Sequence, residues 1–166
     1  MSEQETPQIY LITPSNAELS FYSETLAPLM DAFPMACVRL GLVSEDETVI
    51  SRHADRLRDV SHARDISAVI STHYRLVDAL GLDGVHRVDA AKTLREIRDT
   101  LGTNAIIGTH CGTSRHIGMN AGEIGADYIC FGPVSKTALT DGDVTEFDTF
   151  EWWSEMVEIP VVAEGN

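Results

Sequence analysis

Apolar residues along this chain follow two periods in turn. Short runs rich in β-branched residues alternate with longer segments whose apolar positions recur every three or four residues, the pattern of repeated strand–helix units around a parallel sheet. Strands are expected at 9–13 (IYLIT), 36–40, 66–71, 84–86, 105–108, 128–131 and 160–163. The first helix carries Leu19, Tyr22, Leu26, Leu29, Met30 and Phe33 and ends at Pro34. A second, over 46–62, carries Val49, Ile50, His53, Leu57 and Val60. A short helix over 74–80 stops at Gly81, a left-handed terminating position. Asp89 is read as the N-cap of a helix ending near Gly102, and Thr113 or Ser114 as the cap of one through Ile124. In the last helix, 146–157, Phe147, Phe150, Trp153 and Met156 are expected on the core side.

Seven short strands alternating with six helices suit an α/β fold of the (βα)8 TIM barrel kind better than an open sheet. Such a barrel needs eight units and usually about 200 residues or more. The 166 residues are therefore expected to form a single (βα) barrel domain over 1–166 that is C-terminally incomplete, with the natural chain continuing past Asn166 to supply the last βα unit. The polar stretch 132–145 is the longest connection and is expected to act as a ligand lid.

Composition narrows the function. A hydrophobic content of 43% supports a sizeable core, no run approaches the roughly 18 apolar residues of a membrane span, and the polar start reads as no signal peptide. Cys37, Cys111 and Cys130 form no CxxC pair and are odd in number, which fits a reducing, cytoplasmic setting. A formal net charge of −14 argues against nucleic acid as a partner. An anionic ligand would have to be held by local backbone amides and a few placed cations.

Several segments carry a family resemblance. YLIT near the start, LGLDGVH (80–86), IIGTHCGT (106–113), GADYICFGPV (125–134) and IPVVAEG (159–165) resemble, in order, the YLVT, LGADGVHLGQ, IIGVSAHT, GADYIGFGPV and IPVVAIGG segments of thiamine phosphate synthases and the related thiazole tautomerases. The resemblance runs from residue 9 to the end, and GADYI followed by FGPV is its most specific part. It implies a phosphate-binding barrel of thiamine biosynthesis and a transferase reaction. That reaction joins hydroxymethylpyrimidine pyrophosphate to thiazole phosphate and releases pyrophosphate. The implied cofactor is Mg²⁺, whose carboxylate ligands are not matched here, and the implied partner is a small phosphorylated molecule, with no membrane partner and homodimerisation left open.

The family's ligand positions are heavily substituted. Its Gln-Leu-Arg-x-Lys reads Arg39-Leu40-Gly41-Leu42-Val43, its Asn-Asp reads Ser71-Thr72, and the Asp of its GVHLGQxD segment falls on Ala91. His110 stands where the family has Ser, and its TxTK reads Thr137-Ala138-Leu139-Thr140. Gly165 keeps the first glycine of the last turn and Asn166 replaces the second. The thiazole tautomerase's histidine in the GPV segment is replaced by Pro133. Activity is accordingly expected to be altered or lost.

The candidates that follow are Arg39 and His110 as catalytic groups, and Thr137, Gly165, Lys136, Ser71 and Thr72 as substrate or phosphate contacts. His73, His86 and His110, after three successive strands, form a weaker alternative as transition-metal ligands. Cys111 beside His110 invites a nucleophile reading but is more simply a small buried residue, and Asp127 is read as shaping a turn. Two other functions fit the same residues. One is a non-catalytic phosphate-ligand-binding or regulatory barrel. The other is an enzyme with different chemistry around Arg39 and His110.

Overall fold

The computed structural model describes residues 6–89, 92–136 and 142–165. The chain divides into two compact units, one holding the residues up to Ser71 with Leu76–Asp83, the other Thr72–Arg75 and everything from Gly84 onward.

In the first unit β1 (Ile9–Ile12), β2 (Met35–Leu40) and β3 (Ser67–Ser71) pair in parallel, in that order. Val38, Leu40, Ala68, Val69 and Ile70 are buried, as continuous apolar runs require when both faces of a parallel strand are covered. The helix after β1 opens with a π turn, Tyr22–Leu26, and continues as α1 (Ala27–Ala32). Pro28 lacks an N–H and its ring crowds the carbonyl four residues back, so the wider turn just before it relieves an interior helical proline. Tyr22, Leu26 and Met30 face the core, whereas Phe33, past the helix end, is half exposed. Helix α2 (Glu47–His62) starts where the Asp46 carboxylate accepts the amides of Thr48 (2.8 Å) and Val49 (3.4 Å), and it buries Ile50, His53, Ala54 and Leu57. The expected helix over 74–80 is a 3₁₀ turn, Tyr74–Leu76, followed by α3 (Val77–Leu80), and Gly81 ends it at φ 64°.

In the second unit β4 (Gly84–Arg87), β5 (Ile106–His110), β6 (Tyr128–Phe131) and β7 (Val161–Ala163) form a parallel set in chain order. Helices α4 (Leu94–Leu101), α5 (Arg115–Ile124) and α6 (Phe147–Met156) connect them. Ser114 caps α5 by accepting the Ile117 amide, and Gly125 ends it at φ 115°. Helix α5 lies close to its neighbours because Gly118 has no side chain; a Cβ there would stand 2.8 Å from Trp153 and 2.9 Å from Phe131. Trp153 is fully buried, meets Phe131 edge-on and donates its indole N–H to the Ile159 carbonyl at 2.8 Å.

Acidic residues at the strand starts tie each unit together. Asp127 accepts the Ile107 amide (2.7 Å) and Arg98 Nη2 (2.6 Å), while the same guanidinium donates to the carbonyls of Gly102, Ala105 and Gly125. Asp83 likewise accepts the Ala68 amide at 2.7 Å and pairs with His62. Asp127 therefore shapes a turn, as its place in GADYI suggests.

Two expectations are corrected. Asp89 does not cap α4: its carboxylate is held by Arg87, and the helix begins only at Leu94, with Thr93 at the N-cap. The expected core face of α6 (Phe147, Phe150, Trp153, Met156) holds only in its middle: Trp153 is buried and Phe150 is half-buried edge-on to Phe131, but the two ends turn outward. Thr149 and Trp153 are buried, while Phe147 and Met156 are 81% and 66% exposed. The inward line runs in steps of four from Thr149 to Trp153, and a line stepped by three drifts off the helix face.

Candidate functional site

After β2 the first unit is packed closed around Gly41, the position where the resemblance places a cationic side chain. Thr13 donates its amide to the Arg39 carbonyl (2.9 Å), and its hydroxyl accepts the Gly41 amide (3.0 Å). A Cβ at Gly41 would stand 2.7 Å from the Thr13 carbonyl oxygen and 2.9 Å from Ile12 Cγ2, so the backbone here excludes any side chain. Arg39 is only 7% exposed and its guanidinium carbon lies 5.8 Å from the Tyr10 ring centre. Val43 is exposed. Ser71, at the end of β3, is half-buried. Cys37 sits on β2, and burial pushes its thiol up to about 12, with Asp83 adding to the rise and Arg39 opposing it.

The second unit builds a polar cluster on one face of its sheet. His86, Gly108 and Tyr128 are register partners across β4, β5 and β6, so all three point to the same side. Gly108 leaves a gap between its two neighbours. The Tyr128 ring occupies it, and a Cβ at Gly108 would overlap that ring. The ring thereby reaches across a whole strand to stack on His86, with planes 23° apart and the Tyr128 hydroxyl 2.9 Å from His86 Nδ1. One step further along, His110 partners Cys130. Glu164 follows β7, its amide donating to the Phe131 carbonyl at 2.9 Å. A Cβ at Gly132 would lie 2.5 Å from the Glu164 carbonyl oxygen, so this crossing too depends on glycine. His110 Nδ1 stands 3.4 Å from Glu164 Oε2.

Among the described residues, His86, Cys130 and Glu164 form a group whose donor atoms all lie within 4.8 Å of one another. Of the histidines proposed as ligands, His86 belongs to it, His110 reaches it through Glu164, and half-buried His73 is not a member. Cys111 is 2% exposed, and burial pushes its thiol up to about 12, which disarms it as a nucleophile. Lys136 is exposed and lines an open cavity of about 1010 Å³ with Thr113, Arg115, Asp143, Glu146 and Asp148. Arg115 already meets Asp148 there at 3.2 Å. Gly165 is exposed just after Glu164, and Thr72 is an exposed residue at φ 71°. Thr137, Asn166 and part of the expected lid lie outside the described residues.

Sequence reasoning missed Cys130 and Glu164. Each had left a signal inside a matched motif: Cys130 in GADYICFGPV stands where the resemblance has glycine, and Glu164 in IPVVAEG where it has isoleucine.

The fold defines the class. The structure resembles thiamine phosphate pyrophosphorylase from Pyrococcus furiosus, with a TM-score of 0.79 at 22% identity over 96% of this chain and 75% of that one. It also resembles a Bacteroides thetaiotaomicron chitinase, at a TM-score of 0.64 and 10% identity over 95% and 67%. It is a (βα) barrel-type α/β fold, as its strand pattern predicts. Residues 9–166 match the TMP-TENI family, described as thiamine monophosphate synthase. Thiamine-phosphate synthases from Rhodospirillum centenum and Erythrobacter litoralis are 38% identical over 160 residues (96% of this chain, 77% of theirs) and 35% identical over 172 (100% and 80%). The chain belongs to the thiamine monophosphate synthase family.

Among the described residues, the donors at the positions where that family's Mg²⁺ would be held do not fit it. Thr72 offers a hydroxyl where the family pattern has a carboxylate, and Ser71 a hydroxyl where it has an amide. Asp89, the nearest carboxylate in sequence to the aligned Ala91, is gripped by Arg87 Nε at 3.0 Å and Nη2 at 2.7 Å, and Thr93 donates to it at 3.4 Å. The Arg87 hydrogen bond holds the Asp89 carboxyl below the usual carboxylate range. Arg87 also donates to the Thr72 carbonyl at 2.9 Å, so this ion pair braces the loop after β3. No helix among the described residues is long and apolar enough to cross a membrane.

Proposed function

We propose that this chain is a thiamine-phosphate-synthase-like protein that binds a small phosphorylated molecule of thiamine biosynthesis and has lost the magnesium-dependent condensation. One observation carries the reading. The strand end that would present a cation to a departing pyrophosphate carries Gly41, and a Cβ there would stand 2.7 Å from the Thr13 carbonyl oxygen. A transferase that expels pyrophosphate needs charge aimed at the leaving group, and backbone closure at this point removes the place from which it would be aimed. Ligand binding has separate support: exposed Gly165 after β7 and Lys136 after β6 are an amide and a cation that can hold a phosphate without the lost groups.

The test pairs two measurements. With hydroxymethylpyrimidine pyrophosphate, thiazole phosphate and Mg²⁺, no thiamine phosphate should form above the uncatalysed rate. With thiazole phosphate or thiamine phosphate alone, the melting temperature should rise, by the equivalent of about 2.7 kcal/mol when ligand reaches 100 times its dissociation constant. Product formation would refute the loss of condensation, and an unmoved melting curve with both ligands would refute the binding.

A further inference from the structure

Imidazole, thiolate and carboxylate are three donors that zinc accepts together, and β4, β6 and the residue after β7 bring one of each to the same place. His86, Cys130 and Glu164 present donor atoms within 4.8 Å of one another. With metal bonds of about 2.0–2.3 Å, donors around one Zn²⁺ stand roughly 3.5 Å apart, so modest side-chain closure completes the set. His86 and Cys130 are fully buried, and Glu164 is about one-fifth exposed on its side chain. That is a low-dielectric setting in which Glu164 is the member that reaches solvent.

The surroundings have the form of an outer ligand shell. Metal-bound histidine characteristically donates its other N–H to an oxygen, which fixes tautomer and ring orientation. Here the Tyr128 hydroxyl stands 2.9 Å from His86 Nδ1, which assigns Nε2 to the metal. Gly108 makes that contact possible, since any larger residue would displace the Tyr128 ring. His110 Nδ1 lies 3.4 Å from Glu164 Oε2, where it can orient the carboxylate. A thiolate donor selects against Mg²⁺, so this is chemistry separate from the family's magnesium.

We propose that His86, Cys130 and Glu164 form a binding site for Zn²⁺, with Tyr128 and His110 as positioning residues and a fourth coordination position open. The proposal goes beyond the phosphorylated-ligand reading and does not depend on it.

The full chain, purified without a histidine tag and stripped with chelator, is titrated with Zn²⁺ against a chromophoric chelator and separately with Co²⁺. One equivalent of Zn²⁺ should bind, and the Co²⁺ form should show a thiolate-to-cobalt charge-transfer band in the near ultraviolet. Cys130→Ser should abolish the band, whereas Cys37→Ser and Cys111→Ser should keep it. Glu164→Gln, a near-isosteric change at a partly exposed residue, should weaken Zn²⁺ by more than the roughly 10- to 100-fold that outer-shell losses cost, and Tyr128→Phe by about 10-fold. Absence of stoichiometric Zn²⁺, a Co²⁺ spectrum without the sulfur band, or undiminished binding by Glu164→Gln would overturn the proposal and leave a metal-free polar cluster. If Cys130→Ser does not fold, the parent's Co²⁺ spectrum and Glu164→Gln decide the matter.

Discussion

Two buried histidine–tyrosine pairs invite comparison. In the first unit the Tyr22 hydroxyl lies 2.9 Å from His53 Nδ1, with the rings edge to face at 70°. In the second the Tyr128 hydroxyl lies 2.9 Å from His86 Nδ1, with the rings stacked at 23°. The hydrogen bonds are the same length. Their settings differ: Tyr22 and His53 join two helices amid Leu26, Ile50 and Leu57, whereas His86 and Tyr128 sit on strands beside Cys130 and Glu164. A buried imidazole bonded to a phenol is thus no sign of chemistry by itself. The donors gathered on its far side decide whether it supports a fold or a site.

The stacked pair depends on a missing side chain, and the edge-on pair does not. Gly108→Ala places a methyl group where the Tyr128 ring lies, and both residues belong to strands held in register on either side, so neither backbone can retreat cheaply. Overpacking of this kind costs about 3 kcal/mol, the upper part of the usual range. Denaturant unfolding should record a loss of that size, the largest of the effects considered, and Tyr128 should lose its contact with His86. A loss below about 1 kcal/mol would mean that the ring can move aside, and the gap at Gly108 would lose its significance.

A second glycine sharpens the contrast between the units. Gly41→Arg restores the residue type that the family resemblance gives this position. The Thr13 carbonyl stands in the way, so the substitution should destabilise by about 1–3 kcal/mol and create no thiamine phosphate formation. A stable, active Gly41→Arg protein would show that the strand end after β2 is open and that a single cation had been the missing part.

The strands were legible because a buried parallel strand writes itself as a short β-branched run, as β2 and β3 do, and because helix ends at Gly81 and Gly125 need a left-handed residue. The start of α4 was not. Asp89 has the right chemistry for an N-cap, but Arg87 two residues earlier competes for its carboxylate, and that competition is visible only in three dimensions. The α6 face is legible only in its middle, because a stripe spaced by three drifts off the helix face and leaves Phe147 and Met156 outside while Trp153 stays buried. Arg39 and His110 were recognised as chargeable groups at strand ends. Glu164 stands in the sequence as one letter of IPVVAEG, and its approach to His86 and Cys130 joins two strands and the residue after a third, far apart in sequence.

The smallest expected effect tests the helical pair. Burial lowers the His53 pKa from its ordinary 6.5, and neighbouring Arg52 lowers it further. The unfolded chain then binds a proton more readily than the folded one, so protonation favours unfolding. The stabilising contribution is complete above the unfolded value near 6.5 and is lost as pH falls below it toward the lowered folded value. Urea unfolding between pH 8 and pH 5 should therefore show stability declining through the lower half of that range, and His53→Gln should flatten the decline. Asp89 does not obscure the test. Its carboxylate pKa is lowered, so its contribution is lost only as pH falls below the unfolded carboxylate value near 3.8. An unchanged decline in His53→Gln would transfer the titration to another histidine, and the two histidine–tyrosine pairs would then have to be told apart by something other than burial.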